Sequence, residues 1–121
     1  MLLVRAIAAA LATLALGGCG EPAPAVEARG GRVEIVLDDF LIEPQYVRAR
    51  AGRLTFTVGN RGKLPHNFRV RGRDGEPVQI MTLLPGEGAS ESVRLGRGNY
   101  KMLCTVANHE QLGMTGRLVG R

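Results

Sequence analysis

Tryptophan is missing from this 121-residue chain, and only three phenylalanines and two tyrosines supply aromatic rings. Single-stranded nucleic acid is bound on ring faces that stack the bases, so the composition argues against that partner despite a formal net charge of +5. The cations are also scattered. Arg48, Arg50, Arg53, Arg61, Lys63, Arg69, Arg71 and Arg73 alternate with apolar residues instead of forming a run. Such spacing suits a solvated sheet face, or a diffuse field that steers an acidic partner or anionic headgroups. Histidine and cysteine are equally sparse, at two each. No C-x-x-C-H stretch offers a haem attachment site, and no His-rich or Met-rich tract offers a chain of metal-transfer sites. Nothing in the chain sustains the 3.6-residue period of a long helix.

What the chain does hold is turn residues, with 17 glycines and six prolines. Between them lie short alternating stretches, the pattern of half-buried strands. Val33, Ile35 and Leu37 alternate with Glu34, Val36 and Asp38. Residues 46–50 repeat the pattern, and in residues 54–58 Leu54, Phe56 and Val58 face one way while Thr55 and Thr57 face the other. In residues 63–71, His66 shares the parity of Phe68 and Val70 and is expected to point with the core. Arg73-Asp74-Gly75-Glu76 reads as a hairpin turn. Residues 78–84 are apolar and of undecided type, with room for a short helix around Ile80. Residues 90–95 alternate again, residues 100–104 place Tyr100, Met102 and Cys104 on one face, and residues 115–119 form a last strand. Seven or eight strands at about ten-residue spacing predict an all-β, Greek-key β-sandwich.

The N-terminus has a different character. A short basic start with Arg5, an apolar run over residues 6–16 and small residues before Cys19 form an export signal over residues 1–18. The run is too short for a comfortable membrane span. Leu16-Gly17-Gly18-Cys19 resembles a bacterial lipoprotein cleavage box, so Cys19 is expected to be lipidated and residues 19–31, rich in Pro, Ala and Gly, to act as a flexible tether. Durable anchoring then takes more than one acyl chain. The folded domain is expected over residues 32–121. A Cys19 to Cys104 disulfide is the less favoured reading, because Cys19 sits in a processing site. Cys104 is thereby a lone thiol in an oxidising compartment, where a metal bond protects it from oxidation.

That thiol opens the most informative stretch, Y-K-M-L-C-T-V-A-N-H-E-Q-L-G-M-T-G at residues 100–116. Cys104, His109 and Met114 stand five positions apart in a C-x4-H-x4-M pattern. Thiolate and imidazole suit copper or zinc, and a thioether selects copper. One further imidazole is available, from His66, although a single inward histidine is more often a hydrogen-bonded core residue. Two histidines, a thiolate and a weak axial thioether together form the ligand set of electron-transfer copper. Met102 and Met81 read as packing residues.

Here the sequence resembles the cupredoxins, the small blue copper proteins that include plastocyanin and azurin. The likeness is carried by Pro65-His66-Asn67-Phe68, Leu84-Pro85-Gly86-Glu87 and residues 100–116, and it extends over nearly all of residues 32–121. The resemblance implies one copper per chain, with His66, Cys104, His109 and Met114 as its ligands. It also implies a hydrogen-bonded clamp between Asn67 and Thr105, and an apolar patch around His109, with Leu64, Pro65 and Leu112 as candidates, through which electrons pass. One departure stands out. Ala107-Asn108 occupies the place where many relatives carry Pro-Gly, and Asn108 is the residue expected to supply left-handed backbone angles.

The function expected is transfer of one electron between transient redox partners outside the cytoplasm, by a monomer anchored to a membrane through Cys19. Copper storage or delivery is the alternative. An enzyme is disfavoured: a Cys104–His109 nucleophile pair leaves Met114 and His66 unexplained, and a second catalytic copper needs further histidines. Native zinc leaves the thioether without a purpose.

Overall fold

A computed structural model describes residues 23–121. The expected signal (residues 1–18) and Cys19 therefore lie outside the described residues. Ten strands form: β1 Val26–Glu27, β2 Arg32–Asp38, β3 Leu41–Glu43, β4 Tyr46–Ala49, β5 Gly52–Asn60, β6 His66–Gly72, β7 Gly75–Leu83, β8 Gly88–Leu95, β9 Gly98–Leu103 and β10 Thr115–Gly120. They make two sheets, one of six strands in the order β1-β4-β10-β9-β6-β7 and one of four in the order β3-β2-β5-β8. The all-β Greek-key sandwich expected from alternation is the observed architecture, with ten strands in place of seven or eight. The two extra strands, β1 and β3, are two and three residues long, too short to show a period. No helix among the described residues is long and apolar enough to cross a membrane.

Alternation explains which faces meet. In β2, Val33, Ile35 and Leu37 are buried, and in β5, Leu54, Phe56 and Val58 are buried, while Thr55 and Thr57 face outward. Those threonines pair across the outer face with β8, Thr55 Oγ1 lying 2.7 Å from Ser92 Oγ and Thr57 Oγ1 3.1 Å from Ser90 Oγ. The six-stranded sheet answers with Val47, Phe68, Val70, Val78, Ile80, Met102 and Leu118, all buried in the same core. Phe56 and Phe68, one from each sheet, meet with ring centroids 6.0 Å apart. Full burial of large side chains at this inter-sheet seam supplies the main stabilising term, about 1.5–3 kcal/mol each.

Two local readings are corrected. Residues 78–84 form no helix; residues 78–83 belong to β7, where Val78 and Ile80 point inward opposite Val70 and Phe68, and Leu84 follows the strand. Met81 is then forced outward by the two-residue period and is 70% exposed, so it is not a packing residue. The ordered sheet also begins earlier than residue 32. Val26 and Glu27 pair in parallel with Val47 and Arg48, and Glu27 takes ion pairs from Arg48 and Arg121.

Strand direction gathers the chemistry at one end. β6 starts with His66, β9 ends at Leu103 just before Cys104, and β10 starts just after Met114. β6 and β9 are antiparallel neighbours, as are β9 and β10, so all three donors-bearing ends lie together. Gly116 lets β10 lie close against the Gln45 backbone and the Met102 side chain, since a Cβ there would lie 2.6 Å from the Gln45 carbonyl oxygen and 2.7 Å from Met102 Cε.

Candidate metal centre

His66 and Cys104 are completely buried, and His109 is 6% exposed. His66 Nδ1 lies 3.1 Å from His109 Nδ1, Cys104 Sγ lies 3.7 Å from His109 Nδ1, and Cys104 Sγ lies 4.0 Å from His66 Nδ1. The three donors thus form a small triangle inside the protein. Metal bonds of about 2.0–2.1 Å to nitrogen and about 2.3 Å to sulfur place such donors about 3.5–3.8 Å apart around one trigonal ion. The triangle is therefore the right size for a single metal. Met114 is fully buried beside it. A donor set of two imidazoles, one thiol and one thioether fits copper better than zinc or any oxygen-seeking cation.

The second ligand loop is held by its own backbone. Cys104 N–H donates to the Met114 carbonyl at 3.2 Å, and Met114 N–H donates to the His109 carbonyl at 3.1 Å. Met114 thereby ties Cys104 to His109 through main-chain bonds alone. His109 N–H closes a turn onto the Val106 carbonyl at 3.0 Å. The left-handed residue in this turn is Ala107, with φ of 45°, and not Asn108. The turn needs a positive φ one residue before the Asn, and Ala107 accepts the steric cost of about 1–2 kcal/mol. Burial is the main reason the His109 imidazole is held below its ordinary pKa, followed by the nearby His66 ring; a neutral ring keeps its lone pair available.

The first ligand arrives from a strand end, with a register shift between His66 and Phe68 that lets both His66 and Asn67 sink into the protein. Asn67 Nδ2 donates to Thr105 Oγ1 at 2.8 Å, and Thr105 N–H donates to Asn67 Oδ1 at 2.7 Å. This reciprocal pair joins the residue after His66 to the residue after Cys104. The loop leading into His66 is shaped by Asn60, a buried residue whose Nδ2 donates to the Leu64 and Leu83 carbonyls at 2.8 and 2.9 Å and whose Oδ1 accepts from Gly62 N–H at 2.8 Å.

Three residues at this centre have no signal in the spacing of the sequence: Asn60, Asp39 and Phe40. Asp39 Oδ1 lies 2.8 Å from His66 Nε2, and the Phe40 ring meets the His109 ring edge-on, with centroids 5.2 Å apart. Asp39 is held below the usual carboxylate range, first by the Lys63 backbone N–H and next by the His66 hydrogen bond. Both residues sit in the turn between β2 and β3, distant in sequence from every sulfur and imidazole.

Exposed apolar side chains lie on the loops that carry the donors. Leu64 is 40% exposed and Leu112 is 50% exposed, and Pro65 is exposed between Leu64 and His66. Leu41 and Leu84, which follow Phe40 and Leu83, extend the same exposed apolar character.

The sequence matches no protein-family model and no curated protein. Solved structures do match. Reduced auracyanin from the photosynthetic bacterium Roseiflexus castenholzii superposes with a TM-score of 0.70 at 18% identity, covering 75% of this chain and 97% of that one. Auracyanin A, a "blue" copper protein from Chloroflexus aurantiacus, gives 0.63 at 18% identity over 75% of this chain and all of that one. Rusticyanin from Thiobacillus ferrooxidans gives 0.64 at 16% identity, covering 80% and 82%. Two stacked sheets in this order, with the donors gathered at one end and these structures as its likenesses, give this chain the cupredoxin fold.

Proposed function

We propose that this protein is a blue copper electron carrier, in which His66 Nδ1, His109 Nδ1 and Cys104 Sγ would hold the ion as strong ligands and Met114 would add a weak thioether donor. The observation that carries the reading is the buried triangle of two imidazoles and one thiol, with donor separations of 3.1–4.0 Å. A copper ion held there supplies one-electron exchange between Cu(II) and Cu(I). The chain's own part is to keep its donors still: the Asn67–Thr105 pair and the backbone bonds through Met114 hold the thiol and both rings in one arrangement. Little donor movement between oxidation states means a small reorganisation cost and fast transfer. Burial excludes water from the thiolate, which protects it from oxidation.

His109 is the least buried of the donors, and we assign the exposed Leu64, Pro65 and Leu112 to a face beside it suited to brief docking of a redox donor and acceptor. Redox encounters of this kind are small and transient, and scattered Arg and Lys steer them without tightening them. Both histidines of the chain are used at this centre, which leaves none for a second catalytic copper, so the reading is a carrier and not an enzyme. We place it outside the cytoplasm, with residues 1–18 as the signal, Cys19 as the lipidated residue, the following segment as tether and a monomeric domain, acting between partners at that membrane. The test is redox cycling of the copper-loaded full chain. An intense visible absorption that bleaches with dithionite and returns on reoxidation supports the carrier; copper that is lost on reduction supports storage or delivery.

A further inference from the structure

His66 offers two ring nitrogens, and only one can carry the proton when the other binds a metal. What stands behind the ring decides which. Nε2 lies 2.8 Å from Asp39 Oδ1, while Nδ1 faces Cys104 Sγ and His109 Nδ1. The Asp39 carboxylate is itself seated from several sides. Oδ2 accepts the Lys63 N–H at 2.9 Å, Oδ1 accepts the Leu64 N–H at 3.2 Å, and Asp39 N–H donates to Asp38 Oδ1 at 2.8 Å. Gly62 leaves room for this arrangement, since a Cβ there would collide with Asp39 Oδ1 and lie 3.0 Å from His66 Nε2. The next residue, Phe40, adopts a φ of 62°, an uncommon choice for a bulky side chain, and its ring meets His109. One turn thus touches both imidazoles.

A carboxylate is an acceptor only, so a bond at 2.8 Å requires the proton on Nε2 and leaves the Nδ1 lone pair aimed at the other donors. A full negative charge on the far side of a ligating ring also raises the ring's basicity, and a more basic ligand stabilises the more highly charged oxidation state. From this geometry we infer that Asp39 is a positioning residue of the metal centre: it fixes the tautomer of His66 and, through its charge, favours Cu(II) over Cu(I). The inference rests on the copper reading above for the second half alone; the tautomer half holds for any metal, or none.

Asp39→Asn tests the charge, because Asn keeps an oxygen to accept from Nε2. In the copper-loaded full chain, the Cu(II) to Cu(I) ratio at a fixed applied potential should move about tenfold toward Cu(I), a rise in reduction potential of about 59 mV for one electron. Asp38→Asn is the control. It removes the same charge one residue away, where the carboxylate faces Arg61 and the Asp39 amide but not His66, and should give a clearly smaller shift. An unchanged potential in Asp39→Asn, or equal shifts in the two variants, would overturn the charge assignment. The tautomer is read on the unmodified chain by nitrogen-15 NMR of the imidazoles in the zinc-loaded form, which needs neither a variant nor copper activity. A slowly exchanging proton on His66 Nε2 supports the role, and a proton on Nδ1 or a freely exchanging Nε2 proton contradicts it.

Discussion

The two histidines at this centre are held in opposite ways. His66 begins a strand, is fully buried, and is backed by a carboxylate, a clamp at Asn67 and a loop ordered by Asn60. His109 sits on a seven-residue turn, keeps a sliver of exposure, and is backed by the edge of Phe40 and by exposed leucines. The contrast separates two requirements of an electron carrier. One imidazole is fixed so that the donors do not rearrange; the other lies close enough to the surface for a partner to approach.

The strongest way to break this contrast is to remove each ring in turn. Both His66→Gly and His109→Gly should lose the intense absorption of the copper form. Added imidazole should restore it in His109→Gly, where the gap lies beside exposed Leu112, and not in His66→Gly, whose gap is sealed by Asp39, Gly62 and the core. Equal rescue, followed by visible absorption, would mean the two sites are equally open.

Next in size is the clamp. Asn67→Ala removes both hydrogen bonds to Thr105, each worth about 0.5–1.5 kcal/mol net because water reaches the exposed Thr105. Urea denaturation of the metal-free protein should show that loss, and a blue absorption shifted or broadened in the copper form would show the thiolate less firmly aimed.

A smaller effect of opposite sign is expected on the His109 side. Ala107→Gly relieves the left-handed strain of about 1–2 kcal/mol but adds unfolded-state freedom of about 0.4–1 kcal/mol. The net result is a stabilisation of about 0–1.6 kcal/mol, measured by the same denaturation. A loss of stability would show that Ala107 packs in a way its exposed position does not indicate.

The smallest effect lies away from both rings. Glu76 is held below the usual carboxylate range, chiefly by the hydrogen bond from Arg71 and then by its burial-opposed attraction to Arg71 and Arg69. Because the folded pKa is lower than the unfolded one, this contribution is present above the unfolded value and is lost as pH falls through the folded value. Exposure limits it to under about 1 kcal/mol. Glu76→Gln should therefore lower stability slightly at pH 7 and by less as the pH falls below the ordinary carboxylate range, with the copper absorption unchanged at pH 7.

Part of this arrangement is legible in the amino-acid sequence. The two-residue period in β2, β5 and β9 placed Leu37, Phe56 and Met102 inside, because a strand's faces are set by local parity. The spacing of Cys104, His109 and Met114 pointed to a metal, because a loop between adjacent strands must bring its ends together. What could not be read is what depends on contacts between distant segments. Asp39 and Phe40 belong to a turn between β2 and β3, and only the stacking of the four-stranded sheet on the six-stranded one brings them to the histidines. Met81 looked like a core residue by type, yet its parity in β7 turns it to solvent. The left-handed position fell on Ala107 because the turn's hydrogen bonds, and not residue preference, fix where the positive φ must lie.

The central claim, one copper held by a buried thiolate and two imidazoles, is tested most directly by titrating the metal-free full chain and its Cys104→Ser variant with Cu(II) while recording the visible spectrum. An intense thiolate-to-copper band should saturate at one copper per chain and be absent from the variant, which stays folded because Ser fills nearly the same buried space. A chain that binds Cu(II) without that band, or a variant that keeps it, would contradict the account.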